Sequence, residues 1–431
     1  MERRIRPIVE PRIQEEQCGF RPGRGTLDQL YTLYRVLEGS WEFAQPIHMC
    51  FVDLEKAFDC VPRGILWRVL WEYGVRGPLL RATRSLYDRS RSLVCIASSK
   101  SDLFPVHVGL RQGCPLSPVL FITFMDRISR RSQGPEGVRF GDHTISSLLF
   151  ADDVVVLAPS DQDLQHALGR FAAECEAAGM RISTSKSEAM VLSRKRVVCP
   201  LQVGGEFLPQ VEEFKYLGVL FTSEGRMERE IDRRIGAASA VMRSLYRSVM
   251  VKKELSRKAK LSIYRSIYVP TLTYGHELWV MTERTRSRIQ AAEMSFLRRV
   301  AGRSLRDRVR SSVTREELRV EPLLLHIKRG QLRWLGHLFR MPPGCTFREG
   351  VPACPTGRRP RGRHRTRWRD CVSRLSWECL GVPRKSWRKC LWRGKSGHPC
   401  LDCCPRDPAP DKRKKMDGWM NLRSGRKRIH L

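Results

Sequence analysis

Residues 148–158 read Leu-Leu-Phe-Ala-Asp-Asp-Val-Val-Val-Leu-Ala, so two adjacent carboxylates, Asp152 and Asp153, lie between two apolar runs. Short apolar runs that flank a polar tip are typical of a tight β-hairpin. Two neighbouring anions resist joint ionisation, and their burial is unfavourable unless a cation compensates them. The stretch therefore predicts a hairpin whose tip binds a divalent metal ion.

A third carboxylate follows another apolar strand further upstream. Residues 47–53 are apolar and unbroken up to Asp53. An uninterrupted apolar run favours a central strand that is covered on both faces. Two strands that end in carboxylates predict one shared metal site.

The charge of the chain is distributed unevenly. The 431 residues carry a net charge of +34 and are 41% hydrophobic, enough for a sizeable core. Residues 1–221 hold 28 Lys and Arg against 26 Asp and Glu, a balance of +2, whereas residues 222–431 hold 51 against 19, a balance of +32. This asymmetry indicates a catalytic core joined to a module that binds a polyanion. A basic, disordered tail without a catalytic role is the alternative.

Periodicity and turn residues predict the other main elements. The predicted elements are a helix over 26–38, a helix between Pro62 and Gly74, a Gly- and Pro-rich loop over 109–118 that enters a buried helix at 119–125, a helix over 161–179 with Asp161 as its N-cap, a strand over 189–192 and a hairpin over 214–221. Residues 222–340 are rich in Arg and helix formers, and Pro, Gly and Arg dominate from Met341 onward.

Several classes of protein are disfavoured. No run of eighteen apolar residues occurs, and the N-terminus lacks the apolar core of a secretory signal, so we expect an intracellular protein without membrane contact. Fifteen cysteines are too few per residue for a disulfide scaffold. One cluster resembles part of a zinc knuckle, but its irregular spacing and surplus thiol argue against zinc: Cys390, His398, Cys400, Cys403 and Cys404.

Five ordered motifs resemble the palm motifs of reverse transcriptases, above all those of non-LTR (LINE-type) retrotransposons. The motifs are residues 51–59, 109–118, 150–153, 186–188 and 214–218. Residues 17–26 also resemble the finger segment of the family. A lone Asp-Asp pair is weak evidence, whereas five motifs in order are strong. The chain opens almost at the finger segment, so we expect an N-terminally truncated member.

The resemblance implies an α+β fold, the right-hand polymerase palm, in which an antiparallel sheet packs on helices. The expected division is partial fingers over 1–46, the palm with an inserted finger segment over 47–221, a helical thumb or connection over 222–340, and a basic, partly disordered tail over 341–431.

The resemblance also implies that Asp53, Asp152 and Asp153 are the catalytic metal ligands. Two Mg²⁺ ions, for which Mn²⁺ substitutes, serve phosphoryl transfer to a primer 3′-hydroxyl, and Mg²⁺ prefers oxygen ligands. Glu55 and Asp59 lie beyond the strand end, and we expect them to be solvated or ion-paired.

Three residues are expected to bind the incoming nucleotide. The resemblance implies that Phe58 is a steric gate that excludes a ribose 2′-hydroxyl, with an ordinary core aromatic as the alternative. Gln112 is expected near nucleotide and template. Gly113 lies where the backbone approaches a nucleotide closely, which requires the absence of a side chain.

Three basic residues complete the expected site. Lys186 resembles the lysine of the family that protonates the departing pyrophosphate, with one more surface lysine as the alternative. Arg21 and Arg24 suit triphosphate or template contacts, because guanidinium binds phosphate bidentately.

The expected function is RNA-directed DNA polymerisation with an RNA template, a DNA primer or target and dNTPs as partners. The resemblance further implies target-primed insertion in the nucleus. A catalytically inactive remnant that only binds RNA or DNA through its basic half is the alternative.

Overall fold

A computed structural model describes residues 1–141, 143–252, 254–342, 345, 359–362 and 364–381. In this part of the chain the strands are β1 (Ile47–Val52), β2 (Arg91–Ser92), β3 (Cys95–Ile96), β4 (Ser99–Lys100), β5 (Phe104–Pro105), β6 (Val138–Phe140), β7 (His143–Ile145), β8 (Ser147–Phe150), β9 (Asp153–Ala158), β10 (Glu188–Leu192), β11 (Gln202–Val203), β12 (Glu206–Phe207), β13 (Glu213–Tyr216) and β14 (Val219–Thr222). The α-helices are α1 (Glu2–Val9), α2 (Thr26–Phe43), α3 (Ala57–Cys60), α4 (Arg63–Glu72), α5 (Gly77–Asp88), α6 (Ser117–Ser132), α7 (Asp161–Ala177), α8 (Glu228–Leu245), α9 (Arg257–Ile263), α10 (Val269–Thr273), α11 (Glu283–Ala301), α12 (Ser311–Leu318), α13 (Leu323–Arg340) and α14 (Trp368–Leu380).

A four-stranded antiparallel sheet organises the first half of the chain. Its strand order is β10-β1-β9-β8, so β1 lies in the middle. All six residues of β1 are buried, as the unbroken apolar run predicts. The mixed helix-and-sheet fold expected from the motifs is therefore present.

Both faces of this sheet are covered by other elements. Alternate residues of each strand point to opposite faces, so each strand contributes side chains to two cores. One core contains Cys50 and Val52 and packs against α1, α4, α6 and α7. The other contains Met49 and Phe51 and packs against α2, α13 and the β13–β14 hairpin. This two-sided burial explains why the strands read as continuous apolar runs.

The predicted Asp-Asp hairpin is present and tight. Phe150 of β8 pairs with Asp153 of β9, so only Ala151 and Asp152 form the turn. Ala151 has φ +60°, a left-handed conformation that favours glycine. An L-residue there costs on the order of 1 kcal/mol, so neighbouring contacts must hold the turn.

The predicted helices are also present, with shifted ends. The helix expected over 26–38 continues to Phe43. The predicted N-cap of α7 is wrong: Ser160 caps the helix, and its side chain accepts a hydrogen bond from the Asp163 amide. Asp161 is instead the first helical residue, where its charge favours the positive end of the helix dipole.

Residues 222–340 are helical, as their composition predicts. The helices α8 to α13 enclose their own core, which includes Tyr264, Tyr268 and Phe296. Glu293 is fully buried there and accepts hydrogen bonds from the Arg315 side chain at 2.6 Å and the Leu323 amide at 3.0 Å. Loss of either partner would leave a buried charge unpaired, which is strongly destabilising.

The basic tail expected from residue 341 includes an ordered helix among the described residues. Trp368 begins α14 and is fully buried. Its indole Nε1 donates to the Glu277 carbonyl at 2.7 Å, and its amide donates to Glu38 Oε1 at 2.6 Å. The Cys/His cluster at 390–404 lies outside the described residues. In the described ranges, none of the helices has the length and apolarity that crossing a membrane requires.

Candidate active site

The three predicted carboxylates lie at one end of the sheet. The pairing of Val52 with Val154 places Asp53 beside Asp153, and Asp152 occupies the adjoining turn. Burial and the charges of Asp152 and Asp53 together raise the pKa of Asp153 to about 6. Burial and the charge of Asp53 also raise the pKa of Asp152. The three groups therefore share one electrostatic environment.

A metal ion suits this environment chemically. Carboxylate oxygens are the ligands that Mg²⁺ prefers, and a divalent cation relieves the repulsion between these anions. Within the described ranges, however, no group of three or more His, Cys, Asp or Glu side chains is arranged to hold a metal ion. Asp53, Asp152 and Asp153 as metal ligands stay a prediction.

The turn between α7 and β10 holds Asp53 in place. The Asp53 amide donates to Ser187 Oγ at 3.1 Å, and its carbonyl accepts from the Ser183 amide at 2.9 Å. Lys186 lies in the same turn, with Nζ 3.7 Å from Asp53 Oδ2 and a side chain that is 71% exposed. The motif at 186–188 is thus beside the carboxylates, and a role for Lys186 as proton donor stays a prediction.

Gln17 is a functional candidate for which the sequence analysis assigned no role. Its side chain is 1% exposed, and Oε1 accepts hydrogen bonds from the amides of Gly19 at 2.8 Å and Ala151 at 3.0 Å. Gly19 lies so close to the Ala151 backbone that any side chain there would collide with it. Gln17 therefore connects the finger-like segment, residues 17–26, to the turn that contains Ala151 and Asp152. Only its place in the motif at 17–26 signalled it.

Phe58 lies in an aromatic cluster, five residues after Asp53 in the chain. Its ring stacks on Phe121 with centroids 4.1 Å apart and meets the edge of Phe20 at 6.2 Å. The ring is half-buried rather than enclosed. Both readings of Phe58, steric gate and core aromatic, are compatible with this position, and the gate stays a prediction.

The loop before α6 docks on the segment that carries Phe58. The Leu110 amide donates to the Phe58 carbonyl at 2.9 Å, and Gln112 Nε2 lies 3.5 Å from Asp59 Oδ1. Gly113 has φ +77° and open space around its α-carbon. Exposed Gln112 and Gly113 are thus near Phe58, and nucleotide binding by them stays a prediction.

Arg21 and Arg24 are held by contacts within the protein, and their expected phosphate contacts stay a prediction. The Arg21 side chain is 8% exposed and pairs with Glu10 at 2.7 Å, while its Nη1 donates to the Gln14 carbonyl at 2.7 Å. The Arg24 side chain is 9% exposed and pairs with Glu15. Both guanidiniums therefore stabilise the finger-like segment from within.

These motifs and their placement agree with a comparison of the chain with known protein families. Residues 1–221 match the family described as reverse transcriptase (RNA-dependent DNA polymerase). The match covers half of the chain, and the chain belongs to the reverse transcriptase family, which confirms the resemblance of the motifs.

Its relatives are polymerases of non-LTR retrotransposons. The chain is 27% identical over 266 residues to the Pol polyprotein of the type-2 retrotransposable element R2DM of Drosophila melanogaster, covering 59% of this chain and 24% of that protein. It is 28% identical over 297 residues to the R2 polyprotein of Popillia japonica, covering 66% and 40%. It is 24% identical over 303 residues to the RNA-directed DNA polymerase of the jockey element of Drosophila melanogaster, covering 68% and 32%.

The chain thus spans about a quarter of the length of the R2DM polyprotein. Among solved structures, the telomerase of Candida tropicalis, in complex with a fragment of telomeric RNA, resembles it with a TM-score of 0.42 and 10% identity. That similarity covers 90% of this chain and 56% of the telomerase.

Proposed function

We propose that this chain catalyses RNA-templated DNA synthesis as part of a non-LTR retrotransposon polymerase. The observation that carries the proposal is the position of three carboxylates, Asp53, Asp152 and Asp153, at one end of neighbouring antiparallel strands in a member of the reverse transcriptase family. The template is RNA, the primer is a DNA 3′-end, and the substrates are dNTPs.

The elements divide as a right-handed polymerase does. The sheet with α4, α6 and α7 serves as the palm, over 47–221. Residues 1–46 serve as partial fingers, residues 222–340 as a thumb or connection, and the basic residues beyond 341 extend the nucleic-acid surface. The covered sheet and the separate helical core at α8 to α13 support this division.

Asp53, Asp152 and Asp153 would hold Mg²⁺. The bound metal supplies charge stabilisation for phosphoryl transfer. The Ser183 and Ser187 contacts fix the backbone of Asp53 before substrate arrives, so little reorganisation is needed during reaction.

The neighbouring side chains select the incoming nucleotide and protonate the departing pyrophosphate. Phe58 presents a half-buried ring, which would collide with a ribose 2′-hydroxyl of the incoming nucleotide. Gln112 and Gly113 lie in the loop before α6 and contact the base pair or the sugar of the incoming nucleotide. Lys186, 3.7 Å from Asp53, carries a proton close to where pyrophosphate charge develops.

Relatives from R2 and jockey elements suggest where this chemistry takes place. We propose that synthesis begins from a nicked chromosomal end in the nucleus. A nuclease that nicks the target is then required in addition to the residues described.

Primer extension on an RNA template tests the proposal. The wild-type chain should extend a DNA primer with dNTPs and Mg²⁺, and Asp152→Ala should not. Asp102→Ala, which removes an exposed carboxylate from the β4–β5 connection, is the matched control and should leave extension intact.

Two results would count against the proposal. Extension that survives Asp152→Ala would remove the metal assignment. Absence of extension in the folded wild-type chain, together with tight and salt-sensitive RNA binding, would favour a nucleic-acid-binding protein without catalysis.

A further inference from the structure

A cavity of about 690 Å³ lies at the other end of the four-stranded sheet. It opens between the C-terminal end of α2, the residues after β10, the turn between β14 and α8, and residues 360–362 and 364–367. A volume of this size suits a nucleotide-sized ligand. None of the residues to which the polymerase site was assigned lines it.

The sheet register sets the distance between this cavity and the carboxylates. In β1 the chain runs from Ile47, which pairs with Leu192 near the cavity, to Val52, which precedes Asp53. Six residues of strand span about 20 Å. The cavity is therefore a separate site on the same rigid sheet.

Trp41 orders two arginines at the cavity wall. The Arg365 guanidinium lies over its ring, 4.0 Å from the centroid, and that of Arg194 lies 5.9 Å from it. Arg194 also donates to the Trp41 carbonyl at 3.0 Å, and Arg365 donates to the Glu224 carbonyl at 2.8 Å. The aromatic ring and two carbonyls thus hold both cations in place without neutralising them.

The acidic residues of the cavity wall are largely neutralised by other arginines. Glu42 pairs with Arg359 and with Arg367, and Glu38 pairs with Arg35. Glu228 remains near Arg365 as an opposing charge.

The cations at the mouth form a cluster of like charges. Arg226 also lines the cavity, and its guanidinium makes an exposed ion pair with Glu224 at 3.3 Å. Burial and the charge of Arg226 lower the pKa of Arg365. A bound anion would relieve this repulsion.

We propose that Arg194, Arg226 and Arg365 form a binding site for the phosphodiester backbone of a nucleic-acid strand, at the end of the sheet opposite to the catalytic carboxylates. Guanidinium groups bind phosphate oxygens bidentately, and these three are exposed. The exposed residues Lys195 and Arg196 continue the positive surface beyond the cavity mouth. A polymer fits such a continuing surface better than a single small phosphate compound.

The test is the salt dependence of binding to the full chain. Each phosphate contact to a single strand contributes a slope of about −0.7 to log K against log salt. Replacement of all three arginines, Arg194→Gln, Arg226→Gln and Arg365→Gln, should therefore reduce the slope by about 2. Fluorescence anisotropy with a single-stranded RNA and with a DNA of the same sequence measures the slope and shows which strand the site prefers.

A matched variant separates this site from the general positive charge. Arg247→Gln, Arg306→Gln and Arg310→Gln remove three exposed arginines from the helical region and should reduce the slope clearly less. An equal reduction in both triple variants would overturn the proposal, because it would show that charge alone matters. Circular dichroism verifies that both variants fold.

A second measurement uses the unmodified chain. RNA that carries 4-thiouridine should cross-link to peptides containing residues 194–196 or 361–367, as read by mass spectrometry. Cross-links confined to other peptides would overturn the proposal. A further contrary result is displacement of RNA from these arginines by inorganic tripolyphosphate, at concentrations at which RNA stays bound elsewhere on the protein. That result would overturn the proposal too, because it indicates a site for a small phosphate compound. Both assays measure nucleic-acid binding, so their outcome does not depend on whether the chain synthesises DNA.

Discussion

The two ends of the central sheet lie beside clusters of opposite charge. At one end burial and neighbouring carboxylates raise the pKa of Asp152 and of Asp153. At the other end Arg194 and Arg365 flank Trp41. The sheet register brings the carboxylates together, whereas the Trp41 ring and two carbonyls hold the arginines, and each cluster is complementary to an ion of opposite sign.

The comparison shows that the electrostatic asymmetry is finer than the division of the chain into a neutral and a basic half. Arg194 belongs to the near-neutral half, yet it shares a wall with Arg365 from the basic half. The fold therefore brings the second half back to the sheet of the first. Chemistry is expected at the acidic end and strand holding at the basic end.

The largest expected effect is a loss of primer extension at the acidic end without a loss of RNA binding at the basic end. Asp53→Asn should reduce primer extension by about 10²–10³-fold, the usual loss when one charge-stabilising group is removed from an active site. RNA affinity should stay unchanged, because the basic end is intact. Extension kinetics and anisotropy measure both, with the exposed Glu55→Gln as the control. Equal loss of extension in both variants would remove the special role of Asp53.

A second variant tests Lys186 as a proton donor at the acidic end. Lys186→Gln should slow nucleotide addition by about 100-fold, in the range of general acid catalysis. Thermal stability should not change, since exposed ion pairs contribute little. Single-turnover kinetics measure the rate, and exposed Lys215→Gln serves as the control. If both lysine variants keep the wild-type rate, Lys186 is a surface residue.

A third variant concerns selection of the sugar. Phe58→Val should lower discrimination against ribonucleotides by about tenfold or more, the scale of a steric contact in a binding pocket. Incorporation ratios of dNTP and rNTP measure it. Phe20→Leu changes the same aromatic cluster and should keep the discrimination. Unchanged ratios in the Phe58 variant would assign this ring to the core.

The smallest expected effect concerns the residue that holds the carboxylate turn. Gln17→Ala leaves two backbone amides without their buried acceptor and should lower the free energy of unfolding by about 1–3 kcal/mol. Extension should fall severalfold, because the turn at Ala151 relaxes. Urea denaturation and extension measure the two effects, with exposed Gln133→Ala as the control. A stable variant with full extension would show that the turn holds itself.

Much of the first half could be predicted from local patterns. The hairpin at Asp152 and the central strand before Asp53 follow from apolar runs that end at polar residues, and the sheet places them together. Periodicity also predicts α7, although two neighbouring capping residues, Ser160 and Asp161, left its first residue ambiguous.

Sequence patterns were least informative where a role depends on distant residues. Arg21 was expected to contact phosphate because guanidinium binds phosphate bidentately, but nothing in the sequence indicates that Glu10 and two carbonyls hold its side chain. The role of Gln17 depends on Ala151, 134 residues away. Trp368 lies in a basic run, and composition alone gives no sign that its ring is buried.

The burial of Trp368 has a consequence for how the molecule holds together. Its ring meets Tyr31 at a centroid distance of 5.1 Å, and Tyr31 also meets Trp334 at 5.9 Å. Residues from three distant parts of the chain thus form a single aromatic cluster in the core on the α2 side of the sheet. A protein cut after residue 221 would leave Tyr31 uncovered, so the stretch that matches the family depends on later residues for its own solubility.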